Sequence, residues 1–348
     1  MVRCFTGVFA LLAMVWMLEA QDFQIKTRVD LVVVPTSVQD STGRLVTGLA
    51  QKDFTILEDG QPQTISNFSD DPQPLSAAIV IDTGMGGISM KRLVPLFISV
   101  TAGFSPLDEM TSFRYDHFVH QLSDFTANTD QIEKSFDIVK TISQTQPPTV
   151  PQGAPFPTAP RIVQFLLGGL FSGIGGAAEN ASRPGGVPLP GVAPMPAPQS
   201  RVLYDVLYEA AKVLETRPIG RRRIIFIVSD GQVSGENSHD FDEVTQLLLR
   251  DDIQLYAVTA DSGAFEGRFG VLGSLALATG GGSYRGLTTR TMEDAFGRIT
   301  EQARNQYVLG YHSTNIPSEG LPVVRKIVVK GSDPKWKVIH RKGYTQAP

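Results

Sequence analysis

Apolar residues in this chain come in two kinds of run. Near-continuous runs of six to ten residues cover 77–82, 223–229 and 253–260, with a more polar one at 110–119. Between them lie longer stretches whose apolar positions recur every three or four residues. In Leu203, Val206, Leu207, Ala210, Ala211 and Leu214 that spacing puts every apolar side chain on one helical face. Further helices are expected over 89–103, 130–142, 239–250, 267–278 and 291–305. Buried strands alternating with amphipathic helices predict an α/β fold, a doubly wound and mostly parallel sheet covered on both faces. The polarity of 110–119 predicts a place nearer the edge.

The two ends follow a different pattern. Val29, Leu31 and Val33 alternate with other residues, the period of a half-buried strand. Asp53–Glu58 and Gln63–Phe68 flank Asp59-Gly60-Gln61-Pro62, and a short link with Gly and Asp is a hairpin signal because both tolerate positive φ. After Gln306, the segments 307–311, 325–330 and 336–340 again read as strands. An isolated hairpin is marginal in water, so the terminal strands are expected to pair into one β domain that the α/β unit interrupts. The expected organisation is a signal peptide over 1–20, a β segment over 21–73, an α/β domain over 74–306 and a β segment over 307–348. Residues 144–200 hold twelve of the 23 prolines and only three charges, Arg161, Glu179 and Arg183, a composition expected to stay a loop. The apolar run 162–174 inside it reads either as a sticky partner or membrane-surface element or as a short helix folded back on the domain.

Composition narrows the function. The net charge of −4 offers no basic footprint for nucleic acid. Arg3, the apolar run Phe5–Met17 and Leu18-Glu19-Ala20 have the layout of an export signal, too short for an ordinary membrane span; an uncleaved anchor is the other reading. Cys4 is the only cysteine and precedes that run, so the mature chain would hold no disulfide, thiolate or cysteine metal site. The expected location is the periplasm, the cell envelope or outside the cell, with no transmembrane span in the mature chain.

Two acids carry the chemistry. Asp82 ends the run Ala77–Ile81 and is followed by Thr83-Gly84-Met85-Gly86. Asp230 ends Ile224–Ser229 and is followed by Gly231. Ligands of open α/β sheets bind outside the carboxyl ends of the strands, so both acids are expected on one binding edge. With these phrases, and with Arg44–Leu49, Asp53-Phe54, Glu58-Asp59-Gly60, Leu203-Tyr204-Asp205 and Gln306–Tyr311 in this order, the chain resembles a von Willebrand factor type A domain, in particular the VWFA-related family described from acidobacteria.

That resemblance implies a metal-ion-dependent adhesion site: Asp-x-Ser-x-Ser after the first strand, a Thr on a second loop and an Asp after a later strand, usually around Mg²⁺. Here Asp82 and Asp230 match. Gly84 and Gly86 stand at the two Ser positions, and Arg201, beside Ser200, stands at the Thr position. Thr83 and Ser200 would supply hydroxyls only from reshaped loops. Three readings stay open: Arg201 in place of the ion, a weak Mg²⁺ site held by Asp82 and Asp230, and plain solvated residues.

Other motifs carry less. His117 and His120, three apart on a strand, face opposite sides. Asp261 and Ser262 could reach the same edge or simply start a turn. Arg221-Arg222-Arg223 could meet an acidic partner or form a solvated strand entrance. No catalytic residue is assigned. The function expected is an exported protein-binding module, for adhesion or complex assembly, that docks a protein through the edge formed by Asp82, Thr83, Gly84, Gly86, Ser200, Arg201 and Asp230. The alternatives are a structural envelope module with a silent edge and a hydrolase using an Asp as base.

Overall fold

In the computed structural model, residues 31–84, 101, 103–145, 201–233, 237–259, 270–285, 289–315 and 320–347 are described. The central sheet has six strands: β5 (Leu75–Asp82), β6 (Glu109–Tyr115), β7 (Val119–Thr126), β8 (Arg222–Val228), β9 (Ile253–Thr259) and β10 (Gly282–Arg285). Their spatial order is β10-β9-β8-β5-β6-β7. All neighbours run parallel except β7, which returns antiparallel to β6 along the edge. The chain starts in the middle, winds outward one way through β6 and β7, then restarts at β8 and winds the other way. That is the doubly wound order, with its switch point between β5 and β8.

Alternation within the apolar runs divides the core in two. Ala78, Val80, Ile225, Ile227, Leu255 and Ala257 pack under α3 (Leu203–Glu215), α4 (Phe241–Arg250) and α5 (Val271–Thr279). Ile79, Ile81, Ile224, Phe226, Tyr256 and Val258 pack under α1 (Thr129–Ser135), α2 (Asp137–Thr145) and α6 (Thr289–Arg304). Every apolar position picked out in 203–214 is buried. Burial on both faces is why these strands carry no polar alternation.

The terminal strands form two further sheets. β1 (Leu31–Gln39), β4 (Ile65–Ser69), β11 (Tyr307–His312) and β13 (Lys337–His340) are ordered β13-β1-β11-β4; β2 (Phe54–Glu58), β3 (Gln61–Gln63), β12 (Val323–Gly331) and β14 (Gly343–Gln346) are ordered β14-β12-β2-β3. Each sheet mixes strands from both chain ends, and Val34, Ile56, Leu309, Tyr311 and Ile327 share one core. Within that core Glu58 is fully buried and accepts hydrogen bonds from Tyr311 Oη (2.6 Å), Ser313 Oγ (2.6 Å) and Asn315 Nδ2 (2.6 Å). The two units meet through Gln306, whose Nε2 donates to Ser37 Oγ and Gln254 Oε1, and through Lys342 N, which donates to Ala278 O.

Three expectations are corrected. The run 110–119 is not one strand: Asp116, His117 and Phe118 turn the chain, so His117 lies in the turn and His120 on β7. The run 63–68 breaks at Thr64; only Gln61–Gln63 pairs with β2, across Asp59 (φ 49°) and Gly60 (φ 86°), while 65–69 crosses to the other sheet and joins β11. A sandwich permits this where one strand changes sheets at a corner. The expected helix 130–142 is two helices, α1 and α2, divided at Phe136. Most of the expected helix 89–103 lies outside the described residues.

Candidate functional site

Strand register brings three polar side chains into one row. Asp82 on β5 is opposite Tyr115 on β6. On its other side Ile81 is opposite Val228, so Ser229 falls next to Asp82. All three have the parity of Ala78, Val80 and Ile227 and point to the face covered by α3. Ser229 Oγ donates to Asp82 Oδ2 (2.8 Å), contacts Tyr115 Oη (2.8 Å), and accepts from Gly231 N (3.0 Å). Asp82, Tyr115 and Ser229 are all completely buried.

Arg201 enters from above this row. Val202 N donates to Asp116 O (3.1 Å) and α3 is clamped to the sheet by its apolar face, which places Arg201, two residues before the helix, over the β5–β8 switch point. Arg201 Nη1 donates to both oxygens of Asp230 at 2.6 Å, and Nη2 donates to Gly84 O at 2.7 Å. Nη1 also lies 4.0 Å from Asp82 Oδ2. The side chains of Arg201, Asp82 and Asp230 are 9%, 0% and 20% exposed, so Asp230 alone of the three turns appreciable surface outward. Asp230 Oδ1 further accepts from Gln232 N (3.0 Å) and Asp82 Oδ1 from Gly84 N (2.9 Å).

Burial pushes the Asp82 carboxyl up to about 7; Arg201 pulls it down and Asp230 adds to the rise. The guanidinium of Arg201 is held above its ordinary range: burial works against the charge, and Asp82 and Asp230 outweigh it.

The structure thus gathers Asp82, Gly84, Arg201 and Asp230. Thr83 is beside them but buried, and its Oγ1 donates to Tyr115 O (3.0 Å) on β6. Gly86, Ser200, Asp261, Ser262 and the run 162–174 lie outside the described residues. Tyr115 and Ser229 were not expected as site residues. Ser229 had a signal, since it precedes Asp230 and continues the alternation of β8; Tyr115 had none beyond closing a strand. Arg221–Arg223 are not the solvated entrance expected of them. Arg222 is buried, Arg221 donates to Leu75 O and Leu107 O, and Arg223 donates to Asp251 O and Arg217 O.

The residues present do not fit the Mg²⁺ that the resemblance implies. Mg²⁺ needs oxygens at about 2 Å in near-octahedral array. Here a guanidinium nitrogen already faces both Asp230 oxygens. A Cβ on Gly84 would stand 3.0 Å from Arg201 Cγ and 3.2 Å from its Nε, so the Arg201 stem fills the space a Ser at 84 would need. Among the described residues no three His, Cys, Asp or Glu side chains gather to hold a metal. Nor does the Ser229–Asp82 contact amount to an accessible nucleophile and base, because both groups are sealed from solvent and no His orients them.

No family model matches the chain, and no curated protein matches it. Solved structures to which it is similar include a von Willebrand factor type A protein from Catenulispora acidiphila, at 9% identity and a TM-score of 0.43 over 92% of this chain and 64% of that one. An aerotolerance-related membrane protein from Bacteroides fragilis is similar at 11% identity and a TM-score of 0.41 over 66% of this chain and 100% of that one. BatB from Bacteroides thetaiotaomicron gives 10% identity and a TM-score of 0.39 over 66% and 98%.

Proposed function

We propose that this chain is an exported protein-binding module that docks a partner at the edge built on Asp82, Arg201 and Asp230, a degenerate metal-ion-dependent adhesion site. The observation that carries the reading is convergence. Residues from β5, from the loop after β8 and from the entrance to α3 meet at the switch point, where open α/β sheets take their ligands. Export rests on residues 1–20, and the absence of nucleic-acid partners on the acidic net charge. Among the described residues no helix is long and apolar enough to cross a membrane. The burial of the Ser229–Asp82 pair supports a binding role in place of catalysis. Thr83 and Gly84 shape the β5 end of the edge, and Gly86 and Ser200 belong to the same proposed edge by sequence.

A second reading has one observation in its favour. Asp82 and Thr83 are fully buried, so the edge offers a partner chiefly Asp230. On that reading the module is structural, and the terminal β sandwich or the Pro-rich segment makes the contacts. Capture from the native envelope with the full mature chain separates the two. Asp230→Ala is expected to lower capture of the same partner about tenfold or more, the effect of losing roughly 1.4 kcal/mol of contact. Capture that survives Asp230→Ala but disappears on deleting 146–200 assigns the chain to the structural reading.

A further inference from the structure

We infer that Arg201 is the built-in cation of this edge and that the edge binds no divalent ion. The inference deepens the adhesion-site reading, but its test measures metal and needs no partner.

Three features converge on it. The first is position. Nη1 lies 2.6 Å from both Asp230 oxygens and 4.0 Å from Asp82 Oδ2, between the two carboxylates an ion would have to bridge. A guanidinium donates in a fixed planar fork and stays charged at any pH the protein meets, so it serves as a permanent counter-ion.

The second is packing. Gly84 is a glycine where the type A pattern has a hydroxyl, and the Arg201 stem fills the space beside it. Nη2 is fastened to the Gly84 carbonyl at 2.7 Å. Large side chain and missing side chain complement each other: a residue larger than Gly at 84 would press on the arginine, and a smaller residue at 201 would leave two carboxylates facing a hole.

The third is the state of the acids. Both Asp82 oxygens already accept hydrogen bonds, Oδ1 from Gly84 N and Oδ2 from Ser229 Oγ. The Asp230 oxygens accept from Arg201, and Oδ1 also from Gln232 N. A carboxylate so committed has to break bonds before it can coordinate an ion. Guanidinium also carries one charge where Mg²⁺ carries two, which leaves the buried Asp82 under-compensated.

The experiment is a Mn²⁺ and Mg²⁺ titration of the full mature chain, by calorimetry and by the electron paramagnetic resonance of free Mn²⁺. The expected result is no saturable binding at millimolar ion. Saturable one-site binding that either Asp82→Asn or Asp230→Asn abolishes would overturn the inference; binding that persists in both variants lies elsewhere and leaves it standing. A second arm restores the missing donors with Gly84→Ser and Arg201→Thr together. That double variant, folded by circular dichroism, is expected to bind Mn²⁺ at least tenfold more tightly than the unmodified chain. If it is folded and binds no better, the guanidinium is not what excludes the ion and the inference fails. If it does not fold, the titration of the unmodified chain decides. A metal-binding result leaves the capture experiment with Asp230→Ala unaffected, so the two proposals fail separately.

Discussion

Asp82 and His340 are buried titratable groups shifted in opposite directions, and their effects on stability oppose each other. Asp82 rises to about 7 from 3.8, because burial disfavours its charge more than Arg201 favours it. The folded state therefore holds this proton longer than the unfolded chain does. Its contribution to stability is fully present below about 4 and falls as pH rises to about 7. His340 drops to about 3 from 6.5, chiefly through burial. Its Nε2 accepts from Val329 N at 3.1 Å and its Nδ1 lies 2.6 Å from Arg341 O, so the neutral ring fits and the charged one does not. Its contribution is present above about 6.5 and is lost as pH falls toward about 3. Urea unfolding of the full chain at a series of pH values checks both. Asp82→Asn is expected to flatten the loss between about 4 and about 7, and His340→Gln the loss on the acid side. At this scale the site was half legible in the sequence. Asp82 and Asp230 were singled out because each ends an apolar run, and Arg201 because the resemblance puts it at the Thr position of the adhesion-site pattern. Ser229 continued the alternation of β8 and could have been named, whereas Tyr115 joins the row only through the register of β6 against β5, which its own neighbours along the chain do not reveal.

Among the elements, those with a strong period were the readable ones. α3 and strands β5, β8 and β9 came within one or two residues of expectation, because near-continuous apolar runs and a six-position helical stripe leave few alternatives. The β6–β7 hairpin was misread as a single strand, since β7 lies on the edge and its polar composition hides its start. β10 went unseen behind Gly280-Gly281-Gly282. Gly280 ends α5 in the left-handed region at φ 77°. It is also where the α/β unit touches the sandwich: a Cβ there would meet Arg341 N at 2.5 Å and His340 C at 2.6 Å. Both constraints act on one residue. Gly280→Ala is therefore expected to destabilise the chain by roughly 2–3 kcal/mol, read from the urea midpoint at unchanged slope.

Among the described residues an α/β unit lies in sequence between two sets of sandwich strands, and each sheet of the sandwich draws on both sets. β1 pairs with β11 and β13, and β2 pairs with β12. Removing residues 307–348 takes away β11–β14, leaving β1 without either neighbour and β2 with β3 alone, so amide protons over 31–69 are expected to lose most of their protection from hydrogen exchange. β5, β8 and β9 keep their pairing to each other and both helical layers, and their amides are expected to stay protected relative to 31–69. Equal loss of protection in both regions would mean that the α/β unit depends on the sandwich for its own folding.

The sequence by itself determined the layers of this protein, because burial on one or both faces of a strand or helix is written locally as a period of apolar positions. It also determined which charged residues stand at the strand ends. Only the tertiary structure decided that Arg201 lies on Asp230 and against Gly84, and that Asp82 is sealed beneath them. Those contacts span 29 to 147 residues of chain, and they depend on strand register and on where α3 lands, which no local pattern encodes.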